Sequence, residues 1–276
     1  MITLQYLVVR LLLHMPRLSA RLLDLLVPRL RRIAVRNLEM AGYSDPQTIA
    51  DGVFRSIGRI LASFAKFPEI TRENVHQWIR YDGLENFTAA QAKGRGVLVA
   101  TAHLGNWELS AFAHALMTAP MHIVVRPLDN PKVDAFVERY RALSGNHIIR
   151  KKEAARGILR ALKAGKAVGI LIDQNASLEE GVFVDFFSKK ACAGAHFAAF
   201  AKHSGAAVVP GFALWHEDER KYVLRFYPEV PMSGDVQADT QRVHAVLESV
   251  IRQYPDQWLW IHRRWKTRPP GEAPLY

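Results

Sequence analysis

The chain has 276 residues, of which 49% are apolar, so it is long enough for one large domain and too apolar to be a disordered tract. Its formal net charge of +11 calls for a polyanionic partner, which leaves anionic membrane, phosphorylated substrates and nucleic acid as candidates. A single cysteine, Cys192, excludes an intrachain disulfide and a cysteine metal cluster, and no repeat or low-complexity segment is present.

Residues 1–40 are apolar and basic together. Met1 to Met15 is mostly Leu, Val and Ile, but Arg10 interrupts it and Pro16 ends it. That run is shorter than the ~20 residues of a transmembrane helix, and it lacks the flanks of a cleaved signal. Leu18, Leu22, Leu25, Leu26 and Leu30 follow at helical spacing, surrounded by arginines from Arg17 to Arg36. Apolar rows bordered by Arg suit a helix lying in an anionic interface, and equally two helices packed on the domain. The chain thus divides into membrane-associating helices over 1–40 and a main domain over 41–276.

Gly42 to Pro46 is a turn, and Ile49 to Phe64 marks an amphipathic helix ending near Lys66. Val75 to Tyr81 reads as a strand, Leu84 to Ala92 as a short helix, and Lys93 to Gly96 as a loop. Val97 to Ala102 is an apolar run with the character of a buried strand. His103-Leu-Gly-Asn-Trp-Glu108 follows it. Gly105 permits a tight turn, and Asn106 caps a helix whose apolar face is Leu109, Phe112, Ala113 and Leu116. An imidazole at the end of a strand and a carboxylate in the first turn of the next helix could be a base and its orienter. They also suit a satisfied histidine and a glutamate favoured by the helix dipole. His-Glu-x-x-His is absent, which disfavours a metal site.

Met121 to Val125 is a strand closed by Arg126-Pro127, and a helix starts at Asn130-Pro131 with Arg139 and Arg141 on its polar side. Asn146 to Ile149 is a strand ending at Arg150, and Ile158 to Leu162 belongs to a helix. Ala167 to Ile172 is an apolar strand running into Asp173, the place where α/β sheets keep their sites. Gly181 to Phe187 is an aromatic stretch, Gly194 to Ser204 a helix, and Ala207 to Gly211 a strand. Phe212 to Trp215 and Tyr222 to Phe226 pair as a hairpin, and Val243 to Ile251 marks a long helix. Tyr254 to Pro269 mixes Trp258, Trp260 and Trp265 with Arg263, Arg264, Lys266 and Arg268. Such a mixture suits lipid headgroups, and nucleic-acid stacking uses the same residue types.

His-Leu-Gly-Asn-Trp-Glu resembles the His-x4-Glu signature of lysophospholipid acyltransferases, and it is most similar to the bacterial lipid A biosynthesis (late, or secondary) acyltransferase family. Arg126-Pro-x-x-Asn-Pro131 with the arginines after it, Asp173, Gly181 to Phe187 and the C-terminal stretch resemble later blocks of that family, in the family's order. The chain departs from it at Cys192-Ala-Gly194, where a Thr is frequent, and in its shorter N-terminal apolar run.

The resemblance implies a mixed, mainly parallel sheet with helices on both faces. It implies transfer of a fatty acyl chain from acyl carrier protein, or from coenzyme A, to a hydroxyl of a phosphorylated lipid A precursor. His103 is then the base and Glu108 its orienter, with no metal and no cofactor beyond the thioester co-substrate. The N–H groups of the Gly105-Asn106 turn, or Arg141, would stabilise the oxyanion. Arg126, Arg139, Arg141, Arg150, Asp173, Arg263, Arg264 and Lys266 would bind substrate, and residues 181–187 would line an acyl groove. The location implied is the cytoplasmic face of the inner membrane. Two other readings stay open: another lipid acceptor, and a basic module that binds membrane or nucleic acid without chemistry.

Overall fold

The computed structural model describes residues 24–25, 27–150 and 154–276. The apolar run over Met1 to Met15, and most of the arginine-flanked stretch after it, lie outside the described residues. Seven strands form the main sheet in the order β1-β9-β8-β2-β5-β3-β4. They are β1 (Ile79–Asp82), β2 (Val97–Thr101), β3 (His122–Val125), β4 (His147–Arg150), β5 (Ala167–Leu171), β8 (Ala207–His216) and β9 (Lys221–Phe226). The five from β8 to β4 run parallel, while β9 turns back antiparallel to β8 and carries β1 parallel to itself. Residues 75–77, expected to open a strand, form a 3-10 turn, and pairing begins only at Ile79.

Both faces of the sheet are covered, as its near-continuous apolar strands require. Along β2 the side chains alternate between two cores. Leu98 and Ala100 face one, and Val97 and Val99 face the other. The first core takes helices α1 (Pro28–Met40), α6 (Ala154–Lys163), α7 (His196–Ser204) and α8 (Val236–Gln253). The second takes the end of α2 (Pro46–Ala65) with α3 (Leu84–Ala92), α4 (Trp107–Met117) and α5 (Pro131–Ala142). Helix α1 is tied to the domain by Asn37, whose buried amide donates to the carbonyls of Trp260 at 2.6 Å and His262 at 2.7 Å. Among the described residues no helix is long and apolar enough to cross a membrane.

Residues 181–187 form one arm of a separate hairpin, β6 (Gly181–Phe186) with β7 (Lys189–Gly194), rather than the open wall of an acyl groove. Phe186 and Phe187 are buried against Trp258, Trp260 and Trp265. These five aromatic side chains pack on one another, so Phe186 and Phe187 are core. The three tryptophans are likewise inside, not at a headgroup surface. Cys192 lies in the same layer, its thiol donating to the Ser177 carbonyl at 3.3 Å.

The turn after β2 is held from two sides. The Gly105 N–H donates to the Gln257 carbonyl at 2.9 Å, and the Asn106 N–H donates to the Ala213 carbonyl at 2.8 Å. Asn106 caps α4 by accepting from the Leu109 N–H at 3.0 Å, and its amide donates to Ser63 Oγ at 2.6 Å. Gly105 has φ of 63°, and a Cβ there would stand 1.9 Å from the Ala213 carbonyl oxygen. Gly94 has a similar φ of 69° with open space around it. Gly94→Ala should therefore cost about 1 kcal/mol of left-handed strain, and Gly105→Ala clearly more, because backbone must move. Urea unfolding of the two variants checks this; equal losses would contradict the close approach at Gly105.

Candidate active site

His103 leaves the end of β2 directly opposite the end of β5. The strands pair Thr101 with Leu171, so two residues further on His103 faces Asp173. The Asp173 carboxylate is 3% exposed and receives three hydrogen bonds. His103 Nδ1 lies 2.9 Å from Oδ1, and the His103 backbone N–H donates to Oδ2 at 3.0 Å. Trp258 Nε1 donates to Oδ2 at 2.8 Å. A carboxylate only accepts, so Nδ1 carries the proton and the Nε2 lone pair is left for chemistry. Nε2 has no hydrogen-bond partner among the described residues. The Leu259 N–H binds the His103 carbonyl at 2.9 Å, which fixes the backbone as well as the ring.

Burial by itself would lower the His103 pKa. The charge and hydrogen bond of Asp173, with the charge of Glu108 added, outweigh burial and the opposing Arg141, and the value ends above that of an ordinary imidazole. Burial works against the Asp173 charge too, but His103 and the Trp258 N–H hold its pKa at about 2. The pair is thus an imidazole backed by a carboxylate that stays ionised; above its raised pKa the ring is neutral and has the arrangement of a general base and its orienter.

The carboxylate hydrogen-bonded to the His103 ring is therefore Asp173, not Glu108. Glu108 sits in the first turn of α4 and takes a forked ion pair from Arg141 of α5, Nε to Oε2 at 2.9 Å and Nη2 to Oε1 at 2.5 Å. Both side chains are largely shielded, at 15% and 20% exposure. The pair lines a mainly apolar pocket between the sheet and α4. Its lining includes half-buried Thr101, Trp107, Glu108, Ser110, Arg141 and Leu171 and buried Val99, Met121 and Phe226. The Trp107 ring also meets the His103 ring edge-on at 4.9 Å, so the cavity lies beside that ring.

The N–H groups of Gly105 and Asn106 are consumed by carbonyls, so that turn offers no oxyanion hole. The next two N–H groups, of Trp107 and Glu108, are first-turn donors with no acceptor among the described residues. The basic residues divide sharply. Arg141 turns into the site. Arg126 pairs with Asp129 and Arg150 with Glu138 on the surface, and exposed Arg139 lies over Tyr140. Lys266 is exposed and Arg263 half-buried. Arg264 is fully buried, donates to the Cys192 carbonyl at 2.6 Å and lies over Phe186, so it is a core residue and not a phosphate ligand.

Two residues of the C-terminal stretch meet the site, a contact that the motif itself does not reveal. Trp258 steadies Asp173 from 85 residues away. His262 accepts from the Asn175 N–H through Nε2 at 3.0 Å, and burial keeps its pKa at about 4.

A family model for bacterial lipid A biosynthesis acyltransferases matches residues 3–267. The chain belongs to that family. It is 32% identical over 257 residues to the lipid A biosynthesis palmitoleoyltransferase of Escherichia coli (strain K12), covering 90% of this chain and 82% of the relative. It is 28% identical over 255 residues to the lipid A biosynthesis lauroyltransferase of the same organism, covering 90% and 83%. Over 254 residues it is 23% identical to the myristoyltransferase, covering 89% and 78%. The protein is an acyltransferase, which sets aside a basic module without chemistry.

The acyltransferase should lose activity on its acid side as His103 becomes protonated, at a pH above the ordinary imidazole value. Asp173→Asn removes the charge that raises that pKa, so the acid limb of kcat/KM should move to lower pH. The plateau should fall by about 10²- to 10⁴-fold as the tautomer is lost. A pH–rate profile of both proteins checks this, and an unmoved limb would exclude Asp173 as the partner that sets the base.

Proposed function

We propose that the chain moves a fatty acyl group from the thioester of acyl carrier protein to a hydroxyl of a phosphorylated lipid A precursor. The work is done at the cytoplasmic face of the inner membrane. The observation that carries this reading is His103 hydrogen-bonded to Asp173 beside a mainly apolar pocket lined by Trp107 and Glu108. The cavity takes the acyl chain in place of the 181–187 groove.

In this mechanism His103 Nε2 removes the proton of the acceptor hydroxyl as its oxygen attacks the thioester carbonyl carbon. The carbonyl electrons become a tetrahedral oxyanion, met by the Trp107 and Glu108 N–H groups at the positive end of α4. The C–S bond then breaks, and the departing sulfur takes the proton from His103. The chain leaves as an ester on the acceptor, and the carrier leaves as a thiol. Asp173 holds the ring and stabilises the transient imidazolium. Glu108 and Arg141 do not transfer protons; they line the cavity and fix the first turn of α4.

The names of the relatives differ in the chain transferred, so kinship does not assign acyl length here. The phosphorylated acceptor and the anionic surface are supported by the net charge of +11. Arg126, Arg139, Arg150 and Lys266, all exposed, are the groups available for them. A lysophospholipid is the alternative acceptor and coenzyme A the alternative donor.

Labelled acyl carrier protein, offered with a phosphorylated glucosamine lipid, should yield the acylated lipid. His103→Ala should slow transfer by about 10²- to 10⁴-fold. Equal turnover by both proteins would remove His103 from the mechanism. Faster transfer from the coenzyme A thioester, or to a lysophospholipid, would reassign donor or acceptor.

A further inference from the structure

The buried lining of the cavity is not uniformly apolar. His114 lies six residues after Glu108 on α4, about 9 Å further along the helix axis, and its ring lines the cavity. The residue is 2% exposed. Phe87 packs edge-on at 4.6 Å, Phe226 at 5.6 Å and Tyr81 at 5.9 Å, so the imidazole is gripped in one orientation. Its Nδ1 is 2.7 Å from the Tyr81 hydroxyl, which in turn is 2.8 Å from Thr118 Oγ1. Nε2 has no partner among the described residues.

The protons along this row follow from acidity. A phenol gives its hydrogen to an imidazole nitrogen more readily than it takes one, and Thr118 can give its own to Tyr81. Burial lowers the His114 pKa to about 4 and raises that of Tyr81 to about 12, so both stay neutral and hold one such proton each. With Nδ1 accepting, the ring hydrogen sits on Nε2. The buried part of the lining thus presents an N–H donor among Val99, Met121, Leu224 and Phe226.

A saturated chain lying against that donor would leave it desolvated and unpaired, which is costly in a buried site. We propose that the buried part of this cavity is a hydrogen-bonding subsite, with His114 as its donor, that selects acyl chains carrying an electron-rich group well inside the chain. A hydroxyl is the strongest acceptor of this kind and a cis double bond the weakest, through its π face. A hydroxyl next to the carbonyl would lie near His103 and gain nothing from His114. The inference rests on the acyl-transfer reading given above, with this cavity holding the chain.

The test uses the whole protein and a phosphorylated glucosamine lipid acceptor. Carrier-protein thioesters of one length compete in the same mixture: saturated, cis-unsaturated at mid-chain, hydroxylated at mid-chain, and hydroxylated beside the carbonyl. Product mass spectra give the relative kcat/KM. The mid-chain hydroxyl should be favoured over the saturated chain on the order of 10-fold, and the double bond about 2- to 5-fold. The hydroxyl beside the carbonyl should show no such gain. His114→Leu and His114→Phe, each checked for folding by thermal melting, should abolish the ranking while still transferring the saturated chain. A wild-type protein that ranks all chains equally, or a folded variant that keeps the ranking, overturns the subsite alone. If neither variant folds, the wild-type ranking and its dependence on hydroxyl position decide. No transfer of any chain overturns the acyl-transfer reading and the subsite with it.

Discussion

The buried Asp173 carboxylate is the point on which the site depends. It binds the backbone and the ring of His103 at the same time, and it is bound by Trp258 from the C-terminal segment. An ionised carboxylate in a dry place is costly unless its lone pairs are met. Here three donors meet them, and one belongs to the His103 ring. The interaction that keeps the charge tolerable is therefore the one that fixes the tautomer of the base. Three distant parts of the chain have to be in place before the imidazole is oriented.

The C-terminal segment acts on this arrangement from the inside. Trp258, Trp260 and Trp265 are packed with Phe186 and Phe187, and Arg264 is enclosed with them. Burial lowers the Arg264 pKa to about 10, against the opposing attraction of Asp173, so the guanidinium remains charged at neutral pH. A cation in that layer favours the ionised state of Asp173 across the core. The cluster of cations and aromatics resembles a headgroup surface in composition, yet much of it serves as the scaffold behind the base. Only Lys266 of that run is fully turned to solvent.

Much of the architecture was legible, since strands buried on both faces leave apolar runs and capped helices leave Asn and Pro at their starts. Val97 to Thr101, Ala167 to Leu171, and the helices opened by Asn106 and Asn130 all follow that logic. His103 and Asp173 were also visible, each as a polar residue just past an apolar strand. Their partnership was not. Sequence distance favours Glu108 as the partner of His103, but helix α4 turns that carboxylate toward Arg141. The register of β2 on β5 sets a constant offset of 70 residues from Val97 with Ala167 to Thr101 with Leu171, and the same offset carries His103 to Asp173. That information belongs to strand pairing and is absent from any local motif. Arg264 failed for a related reason: composition reports which side chains a segment contains, not which of them the fold encloses.

The swap of partners gives Glu108 a different physical task. An unpaired carboxylate in the cavity lining would repel the oxyanion and hinder entry of an apolar chain, and an unpaired Arg141 would lower the His103 pKa. Joined as a fork, the two charges nearly cancel there, and their opposite effects on His103 largely offset. Asp173 is left in control of the base. The pair also ties the first turn of α4 to α5, so the N–H groups of Trp107 and Glu108 are held where the backbone has no other use for them. A buried ion pair is weak evidence for stability, because desolvation consumes most of its attraction. Its value here lies in holding a donor-rich helix end still beside a greasy cavity, a task that needs both members of the pair and rigid helices on either side.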